Sequence, residues 1–110
     1  MAVSESFARF VEEQLSGFDG ATFKKMFGGI GIFREGTMFA MISAEERFYF
    51  RTDAKTARKF EAKGMEPFDH PKRGKGMPYH EVPPEVLENR DLMTVWANDA
   101  YETALRNKKK

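Results

Sequence analysis

Phe7, Phe10, Val11, Leu15 and Phe18 recur at helical spacing with Glu12 and Glu13 opposite, which predicts a first helix that Gly17 ends. From Thr22 the pattern changes to extended chain. Phe23 to Phe27 reads as strand, Gly28 and Gly29 interrupt it, and Ile30 to Arg34 resumes it, as one bent strand or two with a bulge. Glu35-Gly36 predicts a tight turn, Thr37 to Ser43 the next strand, Ala44 to Glu46 a second turn, and Phe48 to Phe50 another strand. Thr52 or Asp53 then caps a second helix running to Lys63, with Gly64 in the left-handed position after it. Pro67 to His70 and Tyr79 to Val82 read as short strands around a Pro- and Gly-rich loop, 71–78. Pro83-Pro84 starts a helical turn, and Asn89 or Asp91 caps a last helix with Leu92, Val95, Trp96, Ala100 and Ala104 on one stripe.

This order, α-β-β-β-α-β-β-α, predicts an α+β two-layer sandwich: an antiparallel sheet of about five strands with helices against it. Alternation then sorts the side chains. With Ile30, Ile32, Met38, Ala40, Ile42, Phe48 and Phe50 under the helices, Phe33, Phe39, Met41 and Tyr49 fall on the opposite face. A two-layer fold leaves that face uncovered, so these four residues are the candidate partner surface, suited to a protein partner or to self-association.

Composition narrows the classes. The 110 residues, 41% hydrophobic with eleven Phe and seven Met, suffice for one domain with its own core, expected over 1–110 with a disordered basic tail at 107–110. Cysteine is absent, which removes disulfides, thiol catalysis and Cys-ligated metal. No apolar run approaches the ~20 residues of a membrane span, and Glu5 and Arg9 sit where a signal peptide would be apolar. A soluble, cytoplasmic protein without membrane association is expected.

Net charge is only +1, but the segment from Arg51 to Lys75 carries +4 and Lys108 to Lys110 add +3, leaving −6 for the rest. Lys55, Arg58, Lys59 and Lys63 share one helical stripe, and Lys72, Arg73 and Lys75 follow in the loop. These seven residues are the candidate anion-binding set and support an alternative reading as a nucleic-acid-associated factor. The favoured reading takes them as a solvated face, because no recognition-helix pattern or arginine–aromatic interleaving offers base readout.

The remaining candidates lead to structure rather than chemistry. Gly28-Gly29-Ile30-Gly31 superficially resembles a phosphate loop, but strand-forming Ile30, Ile32 and Phe33 follow where such a loop needs a helix N-terminus. The glycines are instead expected where backbone or a large side chain approaches closely. His70 and His80, with Asp69 and Glu81, do not match a ligand spacing, and strand neighbours point to opposite faces, so neither a metal site nor a cofactor is expected. Ser4, Ser6, Ser16 and Ser43 lack a nucleophile-elbow sequence, and the pairs Glu12-Glu13 and Glu45-Glu46 are ordinary surface neighbours. The chain is expected not to be an enzyme.

The run Met26-Phe27-Gly28-Gly29-Ile30-Gly31-Ile32-Phe33, then Gly36-Thr37-Met38-Phe39-Ala40, then Phe48-Tyr49-Phe50-Arg51-Thr52-Asp53, resembles the N-terminal domain of the TfoX (Sxy) competence regulators. Gly64-Met65-Glu66-Pro67-Phe68, Tyr79 with Val82-Pro83, and Trp96-Ala97 continue the resemblance over nearly the whole chain. Tyr79 is followed by His80 where the family often has a second aromatic. The resemblance implies a secretion-chaperone-like α+β domain and a role in transcriptional control of bacterial competence. A stand-alone, single-domain member of the family is the expectation.

Overall fold

Each predicted turn closes through local chemistry that its residues supply. Glu35 and Gly36 both take positive φ, 49° and 81°, as a two-residue hairpin turn between twisted strands requires. Ser43 to Arg47 closes the next hairpin with Glu46 at φ 65°. The computed structural model describes residues 3–26, 28–70 and 75–108, the main chain alone at 69, 70 and 75–77. Its elements are α1 (Glu5–Gln14), β1 (Ala21–Met26), β2 (Gly29–Arg34), β3 (Thr37–Ile42), β4 (Phe48–Arg51), α2 (Ala57–Glu61), β5 (Pro67–His70), β6 (Lys75–Glu81), α3 (Pro84–Leu87) and α4 (Arg90–Arg106).

All six strands join one antiparallel sheet in the order β1-β2-β3-β4-β6-β5. There is one strand more than the approximate five because Gly28, at φ 80°, separates two full strands rather than bending one. The last strand also begins earlier than Tyr79, at Lys75, so part of the presumed loop is ladder.

Asp53 and Asn89 supply the expected caps, and Ser4 adds one at the start of α1. Ser4 Oγ accepts from the Phe7 N–H, and Asn89 Oδ1 accepts from the Leu92 N–H. Asp53 Oδ1 accepts from the N–H groups of Lys55 and Thr56, while the Asp53 N–H donates to Thr56 Oγ1. The helix after it is nevertheless short, Ala57–Glu61, preceded by a turn over 54–56. It ends with Gly64 at φ 79° and the Met65 N–H donating to the Phe60 carbonyl.

All four helices bury residues in one cluster on one side of the sheet: Val11, Phe60, Val86, and Met93 with Ala97, Ala100 and Ala104. The sheet contributes Ile32, Phe39, Ala40, Ile42, Phe48 and Phe50. Two expectations are corrected here. The buried stripe of α4 is Met93, Ala97, Ala100, Thr103 and Ala104, with Leu92 and Val95 exposed, because the alanines let the helix lie closely on β3 and β4. Phe39 belongs to the core and Met38 does not, for a reason that lies in the register of β3.

Candidate functional site

Cross-strand pairing of β2 with β3 runs Ile30 to Ile42, Gly31 to Met41 and Ile32 to Ala40, then shifts so that Phe33 pairs with Met38. One residue of β3, Phe39, is therefore extra, and the two sides of the bulge are out of phase. Phe39 turns toward the helices and is fully buried, its ring 4.7 Å from that of Phe18 and 6.0 Å from that of Tyr101. Met38 moves to the outer face. This corrects Phe39 as a member of the candidate partner surface.

The other three residues lie on the outer face. Gly31, Met41, Tyr49 and Glu81 form one row across β2, β3, β4 and β6, and Phe33 pairs with Met38 beside it. A Cβ at Gly31 would lie 2.5 Å from Met26 Sδ and 3.0 Å from Phe33 Cε1, so the side chains of Met26 and Phe33 fold over the glycine and would have to shift for a larger residue. At Gly29 a Cβ would collide with the backbone carbonyl of Ile42. Gly28, Gly29 and Gly31 thus work as close-approach and turn positions, and Met26 packs on the outer surface they create; Phe27 lies outside the described residues. None of the outer residues Met26, Phe33, Met38, Met41 and Tyr49 belongs to the core cluster. The first four are half-buried, whereas Tyr49 is 7% exposed.

Phe68 covers one side of Tyr49, the rings 5.1 Å apart at 75°. Together with Glu45, Arg47, Glu66, Pro67 and Glu81 they line a depression of about 330 Å³ at this end of the face. Arg47 Nη1 lies 3.3 Å from Glu81 Oε1, and the Glu81 N–H donates to the Glu66 carbonyl, which fixes Glu66, just before β5, beside the end of β6. Burial pushes the Tyr49 phenol up, and the Glu81 carboxylate pushes the same way against Arg47. Met38 and Phe68 escaped the sequence reading, the first because nothing in the alternation marks the bulge, the second because its partner comes from a distant strand.

The basic set divides. Lys59 Nζ lies 2.7 Å from Asp99 Oδ2 and 4.3 Å from the Trp96 ring centre, and Lys63 Nζ lies 3.0 Å from Glu85 Oε2, so half of the helical stripe ties α2 to α3 and α4. Lys55 and Arg58 are exposed and make no ion pair among the described residues. Lys72 and Arg73, with the side chains of Lys75 and His70, lie outside what is described. At the end of α4, Asn107 donates to Asp53 and Lys108 Nζ donates to Thr37 Oγ1; Lys109 and Lys110 lie outside the described residues.

His80 is buried beneath α2, with Nδ1 2.8 Å from Thr52 Oγ1 and Nε2 3.5 Å from Glu61 Oε2. Its ring centre is 5.7 Å from that of Phe60, a structural setting in the helix-covered layer. Among the described residues no group of three or more His, Asp or Glu is placed to hold a metal ion, and no helix is long and apolar enough to cross a membrane.

No curated protein matches the chain. The sequence profile of the TfoX N-terminal domain matches residues 13–104, from the end of α1 to the last turns of α4, and so takes in the whole sheet, the bulge and the outer face. With that match spanning nearly all of its length, the chain belongs to the TfoX N-terminal domain family.

Proposed function

We propose that the chain is a non-enzymatic regulatory module that acts by binding another protein through the outer face of its sheet. The observation that carries this reading is the sidedness of the fold: all four helices gather on one face, while Met26, Phe33, Met38 and Met41 stand half-exposed on the other. Methionine and phenylalanine side by side make an adaptable apolar contact surface. Membership of a family of competence regulators supports a regulatory setting for that contact.

The test is a charge-bearing double variant, Phe33→Glu with Met41→Lys, compared with the parent chain. Both positions are half-buried on the helix-free face and outside the core cluster, so the variant is expected to fold, which its thermal unfolding checks. Loss of partner capture with little change in thermal unfolding supports the proposal. Undiminished capture by a folded variant refutes it. Sedimentation of the parent at high concentration separates a second copy from a different protein as the occupant.

A further inference from the structure

We propose that the free edge of β1 receives an extended, acidic segment of the partner protein as an added strand, antiparallel to β1. This deepens the docking reading above and rests on it. The sheet ends in β1 on one side and β5 on the other, and the two edges differ. β5 opens with Pro67 and slips register between Pro67 and Asp69, devices that blunt an edge against further pairing. β1 has neither. Its residues Ala21 to Met26 pair with β2 in unbroken register, without proline, glycine or bulge.

The hydrogen-bond phase of the sheet fixes which backbone groups of β1 are free. The Ser43 N–H donates to the Arg47 carbonyl, so β3 bonds β4 through Ser43 and Met41 and turns the backbone groups of Ile42 and Ala40 toward β2. Those groups bond Ile30 and Ile32, which leaves Gly29, Gly31 and Phe33 to bond β1 at Met26, Lys24 and Thr22. The N–H and C=O groups of Ala21, Phe23 and Lys25 therefore point away from the sheet, and no described residue bonds them. Such a row of alternating donors and acceptors is the template on which an extended peptide adds.

The side chains of β1 select which strand fits. Lys24 and Lys25 are exposed on opposite sides of the sheet, and neither makes an ion pair with a described residue. Like charges directly opposite destabilise a strand pair and unlike charges stabilise it, so the two lysines reject a basic strand and take carboxylates at two consecutive positions. Phe23 lies on the helix side, opposite Ile32 and half-buried against the core, where an apolar neighbour packs best. Along β1 from Met26 back to Ala21, the fitting segment thus reads apolar, acidic, acidic, apolar. Its first residue comes beside Met26, at the border of the apolar outer face, so the edge and that face form one surface. β1 itself carries no carboxylate, so a second copy of the chain pairing there leaves both lysines unmatched.

The experiment is an amide shift titration of the full chain with the blocked hexapeptide Leu-Glu-Glu-Val-Thr-Val and two twins, one with Lys-Lys in place of Glu-Glu and one with Pro in place of the first valine. The acidic peptide is expected to shift the amides of Ala21, Phe23 and Lys25 and to slow their exchange, with an affinity on the order of millimolar. The lysine twin should bind at least about fivefold more weakly, and so should the proline twin, which lacks the N–H that meets Phe23. Lys24→Glu with Lys25→Glu, both exposed positions, should reverse the preference, so that the folded variant takes the lysine twin over the acidic peptide. No shifts at about 10 mM, shifts centred away from β1, equal binding of either twin, or a folded variant that still prefers the acidic peptide overturns the assignment. Edge amides whose protection rises with protein concentration in the absence of peptide overturn it in favour of a second copy. The titration needs no partner, so the two readings fail separately. Partner capture without peptide shifts overturns the edge site alone, and peptide shifts in a chain whose partner capture survives Phe33→Glu with Met41→Lys overturn the outer-face reading.

Discussion

Phe39 and Met38 compete for the same core, and the bulge in β3 decides between them. Phe39 is fully buried against Phe18 and Tyr101, whereas Met38 is half-exposed and outside the core cluster. Truncating a buried Phe to Ala costs about 3–5 kcal/mol, the lost transfer energy plus the cavity left behind. Truncating a half-exposed Met on an open face costs about 1 kcal/mol or less. An unfolding entropy of about 2.1 cal/mol/K per residue makes each kcal/mol worth about 4 °C for a chain of this size. Phe39→Ala should therefore lower Tm by about 12–20 °C, and Met38→Ala by about 4 °C or less. Thermal and urea unfolding followed by circular dichroism measures both. Uninterrupted alternation along β3 reverses the order, with Met38 inside and Phe39 outside. A larger loss for Met38→Ala would falsify the bulge. The same geometry implies that Phe39→Glu yields no folded protein, and this is why the docking test uses Phe33 and Met41.

Asp53 supplies a pH signature. The Thr56 N–H holds its carboxyl well below the usual carboxylate range, Asn107 and Arg106 add to this, and partial burial opposes it. A depressed carboxyl stabilises the fold above its unfolded value near 4, and that stabilisation is lost as pH falls through the lower folded value. Asp53→Asn keeps a capping oxygen but loses the charge facing Arg106, so it should cost about 1 kcal/mol at pH 7 and progressively less below pH 4. A gap that stays constant from pH 6 to about pH 2 contradicts the assignment. Among the glycines, Gly29→Ala drives a Cβ into the Ile42 carbonyl and should cost about 2 kcal/mol or more, while Gly36→Ala meets open space and should cost only about 1 kcal/mol for its positive φ. Urea midpoints that rank the two variants the other way would contradict the close approach of β2 and β3.

The sites show the same division as these variants. Phe33, Met41 and Tyr49 were legible as outer-face residues because each lies on a stretch where alternation is unbroken. Phe39 was not, since a single extra residue exchanges inside for outside on one side of it without altering composition or spacing. The basic stripe of α2 was legible as a stripe. That Lys59 and Lys63 are engaged by Asp99 and Glu85 depended on where α3 and α4 came to rest. The depression was beyond sequence reading altogether, because Glu45, Tyr49, Glu66, Phe68 and Glu81 come from four separate segments that only the β4-β6-β5 order brings together.

What the sequence determined alone was local: the caps at Asp53 and Asn89, the left-handed turns at Gly36 and Gly64, the order of elements and the family. Those features depend on a few neighbouring residues, whose φ preferences and hydrogen-bonding groups act over one or two turns of chain. Tertiary structure decided the rotation of α4, which presents Met93, Ala97, Ala100 and Ala104 instead of Leu92 and Val95, and the side on which Phe39 lies. Both are settled by how closely a helix can approach a twisted sheet and which side chains then fill the space between them, a condition on packing volume that no periodicity along the chain contains.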